Sequence, residues 1–388
     1  MEPLRVLIAG DIFPREQLEL FARGETEKLF ADEVAALFRN ADFSIANLEG
    51  VLTETNTKCP KCGPNIKAPP ETANALKALG LNYVTLANNH SSDYGKDGYR
   101  DTVETLEKLG IGYFGAGENI SKITTHIRVQ IKETTIVFYT VAETVFNIPS
   151  ESAPGSNLYD EYRVCKEIEE LKKQCDYLFV LYHGGVEFFQ YPTPWVQRRF
   201  HRMADSGADV IIAQHTHCIG TEEYYGDKYL LYGQGNFYFL QPMEKEMTSS
   251  GLLLQFILTN GSVSIERYPI YKKDGKLILY PQLMQDFEIR NKRLADGESF
   301  EKEFNKYTEK WLAKWLMEFR GLRFSDRLIR KLLGDERFLQ YLRRQYKDYT
   351  VLRMLEHVRG EEDLEVMQRG LQRFWVLGTE TDKYSMEI

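Results

Sequence analysis

The sequence has no long apolar run, no surplus of basic residues and few cysteines. No stretch approaches the about 18 consecutive apolar residues that indicate a membrane-spanning helix. Acidic residues outnumber basic ones by 57 to 49, and the net charge of −8 argues against a general nucleic-acid binder. Five cysteines are too few and too scattered for a disulfide framework, and an odd number leaves one unpaired. We therefore expect a protein of the reducing cytoplasm without a transmembrane segment.

Composition and length are typical of a globular protein. Hydrophobic residues make up 43% and charged residues 27% of the 388 positions, a balance that supports a buried core. Residues 1–5 show neither the apolar core nor the cleavage site of a signal peptide. The length predicts one large domain with an attachment, or two to three domains.

Short apolar runs alternate with helical patterns over residues 1–280. The predicted strands are residues 4–9, 43–46, 83–87, 135–141, 177–182, 210–213 and 229–232. Their apolar residues are continuous rather than alternating, as expected of strands buried on both faces. The predicted helices are residues 71–79, 98–109, 165–173 and 195–206. Since strands and helices alternate, we expect a layered α/β fold.

The pattern changes after residue 250. Residues 252–258 and 263–268 flank Asn260-Gly261, a dipeptide typical of a β-hairpin turn. We therefore expect a mixed sheet with an antiparallel flank.

The last hundred residues are charged, aromatic and helical in pattern. We divide the chain into a main domain, residues 1–285, and a helical C-terminal region, residues 286–388. A lid and a homo-oligomer contact are both compatible with this region.

Polar residues stand where five of the predicted strands end. They are Asp11, Glu49, Asn88, Asn89, His90, His183, His215 and His217, and they include four of the seven histidines of the chain. Taken singly, each is also compatible with a helix cap, a turn or a core histidine. In open α/β sheets, however, ligands collect beyond the carboxyl ends of strands, so we expect these side chains to meet in one cleft.

Carboxylate, amide oxygen and imidazole groups together suit a divalent transition metal such as Mn, Fe or Zn. A carboxylate that bridges two such ions holds them about 3.5–4 Å apart, the geometry used on phosphate esters. The ions would activate a water molecule and neutralise charge on the phosphoryl oxygens. The sequence therefore predicts a metal site with phosphoesterase chemistry.

Seven blocks carry a family resemblance. They are Gly10-Asp11, Asn47-Leu48-Glu49-Gly50, residues 86–95, residues 183–187, residues 207–211, His215-Thr216-His217 and residues 231–239. In this order they resemble the CapA, or PGA-cap, family, named for bacterial poly-γ-glutamate capsule synthesis, within the calcineurin-like metallophosphoesterase superfamily. The resemblance implies an α/β/β/α sandwich followed by the helical appendage, and two divalent metal ions.

The resemblance also implies a role for each matching residue. Asp11 and His217 would bind the first metal ion, Asn89, His183 and His215 the second, and Glu49 stands where the superfamily usually has a bridging aspartate. His90 would face the substrate and stabilise or protonate the leaving oxygen.

Three further residues are candidates for binding an anionic substrate. Asn88 precedes the Asn89-His90 pair, and Lys67 lies in the loop between the Glu49 and Asn89 blocks. Glu187 follows the His183 block, where a residue near the site and a surface glutamate are about equally compatible with the sequence. We expect the substrate to be a small anionic molecule or a phosphate linked to a polymer, and not a nucleic acid.

Four positions depart from the superfamily pattern. Phe13 replaces the histidine of the usual Asp-x-His block, Gln214 replaces a glycine, Gln234 replaces a hydrophobic residue, and Gly184 stands where relatives usually have tryptophan. Without the imidazole at position 13, the first metal ion would be held less tightly or carry an extra water.

These observations favour a metal-dependent phosphoesterase linked to bacterial capsule or surface-polymer biosynthesis. Two alternatives stay open. One is a protein that handles amide bonds or polymer in poly-γ-glutamate synthesis on the same fold. The other is a non-catalytic scaffold with a degenerate metal site.

Overall fold

The computed structural model describes residues 3–61, 63–144, 146–239, 245–259 and 262–318, with five isolated positions further on. The chain divides into two compact units. The first comprises residues 1–59 and 65–297, and the second residues 60–64 and 298–388.

The strands are β1 (Leu4–Phe13), β2 (Phe43–Leu48), β3 (Val51–Leu52), β4 (Lys67–Ala68), β5 (Tyr83–Thr85), β6 (Gly112–Phe114), β7 (Ala116–Gly117), β8 (His126–Ile131), β9 (Thr134–Ala142), β10 (Gly155–Ser156), β11 (Tyr177–His183), β12 (Val210–Gln214), β13 (Glu222–Tyr225), β14 (Lys228–Leu231), β15 (Asn236–Phe239), β16 (Ser250–Thr259), β17 (Ser262–Lys273) and β18 (Lys276–Leu279). The helices are α1 (Leu18–Arg23), α2 (Thr26–Leu29), α3 (Asp32–Arg39), α4 (Asn74–Leu79), α5 (Gly95–Leu109), α6 (Glu161–Lys172), α7 (Pro194–Asp205), α8 (Lys245–Thr248), α9 (Leu283–Ala295) and α10 (Gly297–Glu318). Pro70–Ala73 and Ile120–Lys122 form 3₁₀ turns.

Two main sheets form the first unit. The first sheet has the order β18-β17-β16-β1-β2-β5-β6, with β15 also paired to β1. In it, β1, β2, β5 and β6 run parallel, whereas β16, β17 and β18 form the predicted antiparallel flank. The second sheet has the order β13-β14-β12-β11-β9-β8 and a parallel centre.

The core occupies three layers because both faces of the central strands are apolar. On β1, Leu7 belongs to a cluster that includes buried residues of α1–α5, whereas Val6 and Ile8 belong to a cluster with the second sheet. This between-sheet cluster contains Phe138, whose ring stacks on Phe179 at 5.2 Å between centroids. A third cluster joins the other face of the second sheet to α6 and α7. The predicted α/β/β/α sandwich is thus confirmed, with alternate residues of each strand in different layers.

Most predicted elements appear close to their expected positions. The predicted helix at 71–79 is divided into a 3₁₀ turn and α4, which ends at Gly80 with φ +87°. The short helices α1–α3 and the edge strand β8 were not predicted. β8 alternates between half-buried and exposed residues, so it lacks the continuous apolar signal of the central strands.

The predicted hairpin is present as the pairing of β16 with β17, in which Thr259 lies opposite Ser262. Its turn residues, Asn260 and Gly261, lie outside the described residues. Of the predicted helical C-terminal region, the structure describes α10 and part of α9, and beyond Glu318 it describes only five isolated positions. In the part of the chain that the structure describes, no helix combines the length and apolarity needed to cross a membrane.

Candidate metal centre

The residues that follow the strands meet at one edge of the sandwich. Asp11 lies near the end of β1, where the register with β2 shifts between Ile8 and Asp11. A Cβ atom at Gly10 would lie 2.1 Å from the Gly235 carbonyl oxygen, so only glycine allows this close approach of backbone just before Asp11. The structure therefore places Asp11, which was predicted from its position after a strand, at a backbone irregularity beside the other candidate ligands.

Five buried side chains form two overlapping clusters. Asp11, Glu49 and His217 form the first, and Glu49, His183 and His215 form the second. Within each cluster, the candidate ligand atoms lie within 4.8 Å of one another. Glu49 belongs to both, which is the arrangement of a bridging carboxylate.

In the first cluster, the ring of His217 lies between two carboxylates. Its Nδ1 is 3.6 Å from Asp11 Oδ2, and its Nε2 is 3.7 Å from Glu49 Oε1. Asn236 Oδ1 lies 2.9 Å from His217 Nδ1, and Phe239 stacks on the ring with centroids 4.7 Å apart. When Nδ1 donates to Asn236, the Nε2 lone pair faces the cluster, as a metal-binding histidine requires.

In the second cluster, His183 is the central ring. Its Nε2 lies 3.6 Å from Glu49 Oε1 and 3.0 Å from Asn89 Oδ1, so Asn89 joins this cluster as expected. His215 Nε2 lies 3.5 Å from Glu143 Oε1. Its Nδ1 is buried and has no hydrogen-bond partner among the described residues.

The electrostatics of the clusters fit a divalent cation. Burial raises the pKa of Asp11, although His217 and the hydrogen bonds from Asn47 and the His215 N–H oppose this. Burial, followed by neighbouring histidines, lowers the pKa of His183 well below its usual range and that of His215 to about 3. Neutral imidazoles offer lone pairs but no positive charge, so a metal ion would stabilise carboxylates that are otherwise buried at a cost.

Two of these histidines have unusual backbone conformations. His215 has φ +91° and His217 has φ +53°, in the left-handed region that residues other than glycine rarely adopt. The His215 N–H donates to Asp11 Oδ2 at 3.0 Å, which ties this backbone to the first cluster. Such strain is commonly retained where it places functional groups.

His90 faces the clusters from the loop after β5. Its Nε2 lies 4.0 Å from Glu49 Oε1, and its Nδ1 lies 2.7 Å from Asp93 Oδ2. The same Asp93 oxygen accepts the Ile66 N–H at 2.7 Å. Asp93 therefore orients the ring with Nε2 towards Glu49.

The other three candidates lie in different surroundings. Asn88 is fully buried, and its side chain donates to Asn47 Oδ1 and the Leu48 carbonyl. Lys67 Nζ donates to the Glu54 and Thr55 carbonyls and to Asn56 Oδ1 at 2.7–3.0 Å, so its three N–H groups hold its own loop. Glu187 is exposed in the loop after β11.

Two departures from the superfamily pattern are bonded to each other. Gln214 Nε2 donates to Gln234 Oε1 at 3.0 Å and to the Ala9 carbonyl at 3.2 Å. Gln234 Nε2 donates to the carbonyls of Ile8 and Leu252 at 2.8 and 3.0 Å. The pair thus satisfies the carbonyls of Ile8 and Ala9, three and two residues before Asp11. Gln214 itself directly precedes His215 in the chain.

The third departure removes a ligand position. Phe13 is fully buried in the cluster between the first sheet and its helices. A Cβ atom at Gly50 would lie 2.4 Å from the Phe13 ring. Phe13 therefore packs against the backbone beside Glu49. The fourth departure, Gly184, lies against the Tyr182 ring, 2.7 Å from where a Cβ atom would be, and beside Glu143 Oε2 at 2.9 Å.

Sequence reasoning gave no individual role to four residues that lie at or near this centre. Asn47 Nδ2 donates to Asp11 Oδ1 at 2.7 Å, and Asn236 contacts His217. Glu143 directly follows β9, so the strand-end rule would have identified it. Arg15 had no local signal: its Cζ lies 6.0 Å from the centroid of the Phe239 ring that stacks on His217.

The fold and the site define a class of protein, an α/β/β/α sandwich with buried carboxylate–histidine clusters suited to divalent metal ions at its strand ends. The model of the family described as bacterial capsule synthesis protein PGA_cap matches residues 5–241. The chain therefore belongs to this family, as the sequence blocks predicted.

Known relatives agree with this assignment. The chain is 29% identical over 285 residues to the capsule biosynthesis protein CapA of Bacillus anthracis, covering 71% of this chain and 69% of that protein. It is 28% identical over 273 residues to the PGA biosynthesis protein CapA of Bacillus subtilis strain 168, covering 69% of this chain and 71% of that protein.

Among solved structures, a phosphatase of Mycoplasma pneumoniae aligns with a TM-score of 0.44 at 15% identity, over 70% of this chain and 94% of that one.

Proposed function

We propose that this protein is a metal-dependent hydrolase of phosphate esters that serves bacterial capsule or surface-polymer synthesis. The observation that carries the proposal is the position of Glu49 in both ligand clusters, with His90 facing it. Paired ligand sets that share one carboxylate are the usual device for phosphate-ester displacement.

The proposed metal ligands are Asp11, Glu49 and His217 for one ion, and Glu49, Asn89, His183 and His215 for the other. Divalent ions held there, Mn, Fe or Zn, would supply a hydroxide nucleophile at neutral pH and compensate charge on the phosphoryl oxygens. Asn236 and Asn47 fix the orientation of His217 and Asp11 by hydrogen bonds.

His90 is the proposed general acid. Asp93 accepts a hydrogen bond from His90 Nδ1 and stabilises the protonated ring. The proton on Nε2 therefore faces the centre and can be transferred to the leaving oxygen. Arg15 is the proposed anchor for a phosphate oxygen, because its charge lies beside the ring stacked on His217 and it interacts electrostatically with Glu49.

The proposal is tested with the full chain, stripped of metal and reloaded with Mn²⁺. We expect the wild type to hydrolyse an aryl phosphate mono- or diester. We expect the variants His215→Ala and His217→Ala to lose this activity. His126→Ala is the matched control, since this half-buried histidine lies on the edge strand β8. Activity that survives the loss of His215 and His217, or none in the Mn²⁺-loaded wild type, would contradict the proposal.

One observation favours a non-catalytic scaffold as a second candidate. Phe13 occupies a usual ligand position and is buried in apolar surroundings. Metal analysis distinguishes the candidates, because about two ions per chain is expected for the hydrolase and none for the scaffold.

The names of the relatives favour a third candidate, a protein that handles poly-γ-glutamate itself. A gel assay for cleavage or transfer of this polymer tests it.

A further inference from the structure

A groove lies on the side of the metal centre where the antiparallel strands meet α9. Its volume is about 640 Å³. The residues that matter for its chemistry are Ile219, Ser250, Tyr271, Lys273, Tyr280 and Arg290. They come from the segment after β12, from β16 and β17, from the residue after β18, and from α9.

Two chain segments lead from the metal centre to the wall of the groove. Ile219 stands two residues after His217, so their Cα atoms are at most about 7.6 Å apart. Asn236, which contacts His217, donates to the Thr248 carbonyl at 2.8 Å, two residues before Ser250. The metal centre and the groove wall are therefore built in part from the same two segments, around His217 and around Asn236.

Arg290 is a half-buried cation of this groove that forms no ion pair with a described residue. Its Nε donates to the Gly220 carbonyl at 3.4 Å, and among the described residues no carboxylate lies within ion-pair distance of its guanidinium. Asp286, one helical turn earlier, also lines the groove but is exposed. Burial lowers the pKa of Arg290, although interactions with Cys218, Tyr191 and Asp286 oppose this. A half-buried arginine in this state would be stabilised by a ligand that carries an oxyanion.

The remaining lining suits a ligand with both charge and carbon. Lys273 is exposed at the rim and supplies a second positive charge. The rings of Tyr271 and Tyr280 lie 5.3 Å apart between centroids and form an apolar wall.

We propose that this groove is an anion-binding subsite, in which Arg290 holds a carboxylate or phosphate group of a molecule that extends from the metal centre. The guanidinium fork matches both anions with two parallel hydrogen bonds. The inference rests on the proposed function only for the other end of that molecule, because the subsite itself needs no metal ion.

The test is a calorimetric titration of the metal-stripped full chain, at low ionic strength, with succinate and separately with inorganic phosphate. We expect saturable binding of at least one anion. Arg290→Met should weaken it about tenfold or more, the size of a lost charge-assisted hydrogen bond, and Arg290→Lys should weaken it less. Lys292→Met is the matched control, since it removes an exposed charge from the same helix. The affinity of this variant for the anion should stay within about twofold of the wild-type value.

Succinate binding alone assigns a carboxylate, phosphate binding alone assigns a phosphate, and binding of both supports a general oxyanion site. The proposal is overturned when the wild type binds neither anion, or when Arg290→Met binds as the wild type does. Should Arg290→Met not fold, the rim variant Lys273→Met replaces it, with weaker binding as support and unchanged affinity as refutation. A protein without metal or hydrolytic activity would refute the proposed function and leave this titration unaffected.

Discussion

Replacing Gln234 by leucine should both destabilise the first unit and loosen the metal centre. The Gln234 side chain is fully buried and takes part in three hydrogen bonds, with Ile8, Leu252 and Gln214. Leucine fills similar space but makes none of them. At about 1 kcal/mol net for each bond, the free energy of unfolding should fall by about 3 kcal/mol, a large part of the typical 5–15 kcal/mol.

The effect on metal binding follows from where the bonds lie. Ile8 stands three residues before Asp11, and Gln214 directly precedes His215. Since ligands must be held within about 0.5 Å of their productive positions, we expect the affinity for Mn²⁺ to fall at least about tenfold, or about 1.4 kcal/mol.

Urea unfolding of the metal-free protein and a Mn²⁺ titration measure the two effects. Gln255→Leu is the matched control, because Gln255 is also buried and makes one side-chain hydrogen bond, to Glu266 at 2.7 Å. It should lose about 1 kcal/mol of stability and keep its Mn²⁺ affinity. Equal losses in the two variants, with Mn²⁺ affinity intact in Gln234→Leu, would refute the reasoning.

Three further predictions concern the centre. Asp93→Asn should lower kcat on an aryl phosphate about 100-fold with metal content unchanged, since His90 loses the carboxylate that supports its protonated form. An unchanged kcat would exclude a role of Asp93 in supporting His90. Arg15→Met should raise KM about tenfold and leave kcat unaltered, with the exposed Arg23→Met as control in the same kinetic assay. Phe13→His should lower the free energy of unfolding by about 1–3 kcal/mol and leave the Mn²⁺ stoichiometry unchanged, because this ring packs against Gly50. A fourth imidazole ligand in a metal-edge spectrum, beyond His183, His215 and His217, would contradict that expectation.

The central strands could be predicted because their signal is local. β9, β11 and β12 are buried at all or nearly all positions, so each is a continuous apolar run. β8 could not, because an edge strand with one exposed face carries a weaker pattern. The short helices α1–α3 were missed for a related reason, since four to eight residues offer too few turns for a clear helical period.

The candidate site, like the fold, could be predicted where the signal is local. Asp11, Glu49, Asn89 and the four strand-end histidines meet as expected, because parallel strands bring their carboxyl ends to one edge. Gln214 and Gln234 were recognised only as departures, and nothing in the sequence indicated that they bond to each other. Arg15 and Arg290 carried no local signal, since their positions depend on packing between elements distant in the chain.

The sequence alone determined the types of candidate ligand, their order along the chain and the layered α/β architecture, since apolar periodicity and strand ends are local properties. Only the tertiary structure decided that Glu49 is common to both clusters, that Asp93 orients His90, and that a half-buried arginine on α9 lines a groove with residues of β16 and β17. These contacts depend on strand register and on the packing of two sheets, which are set by many residues at once and not by any single segment.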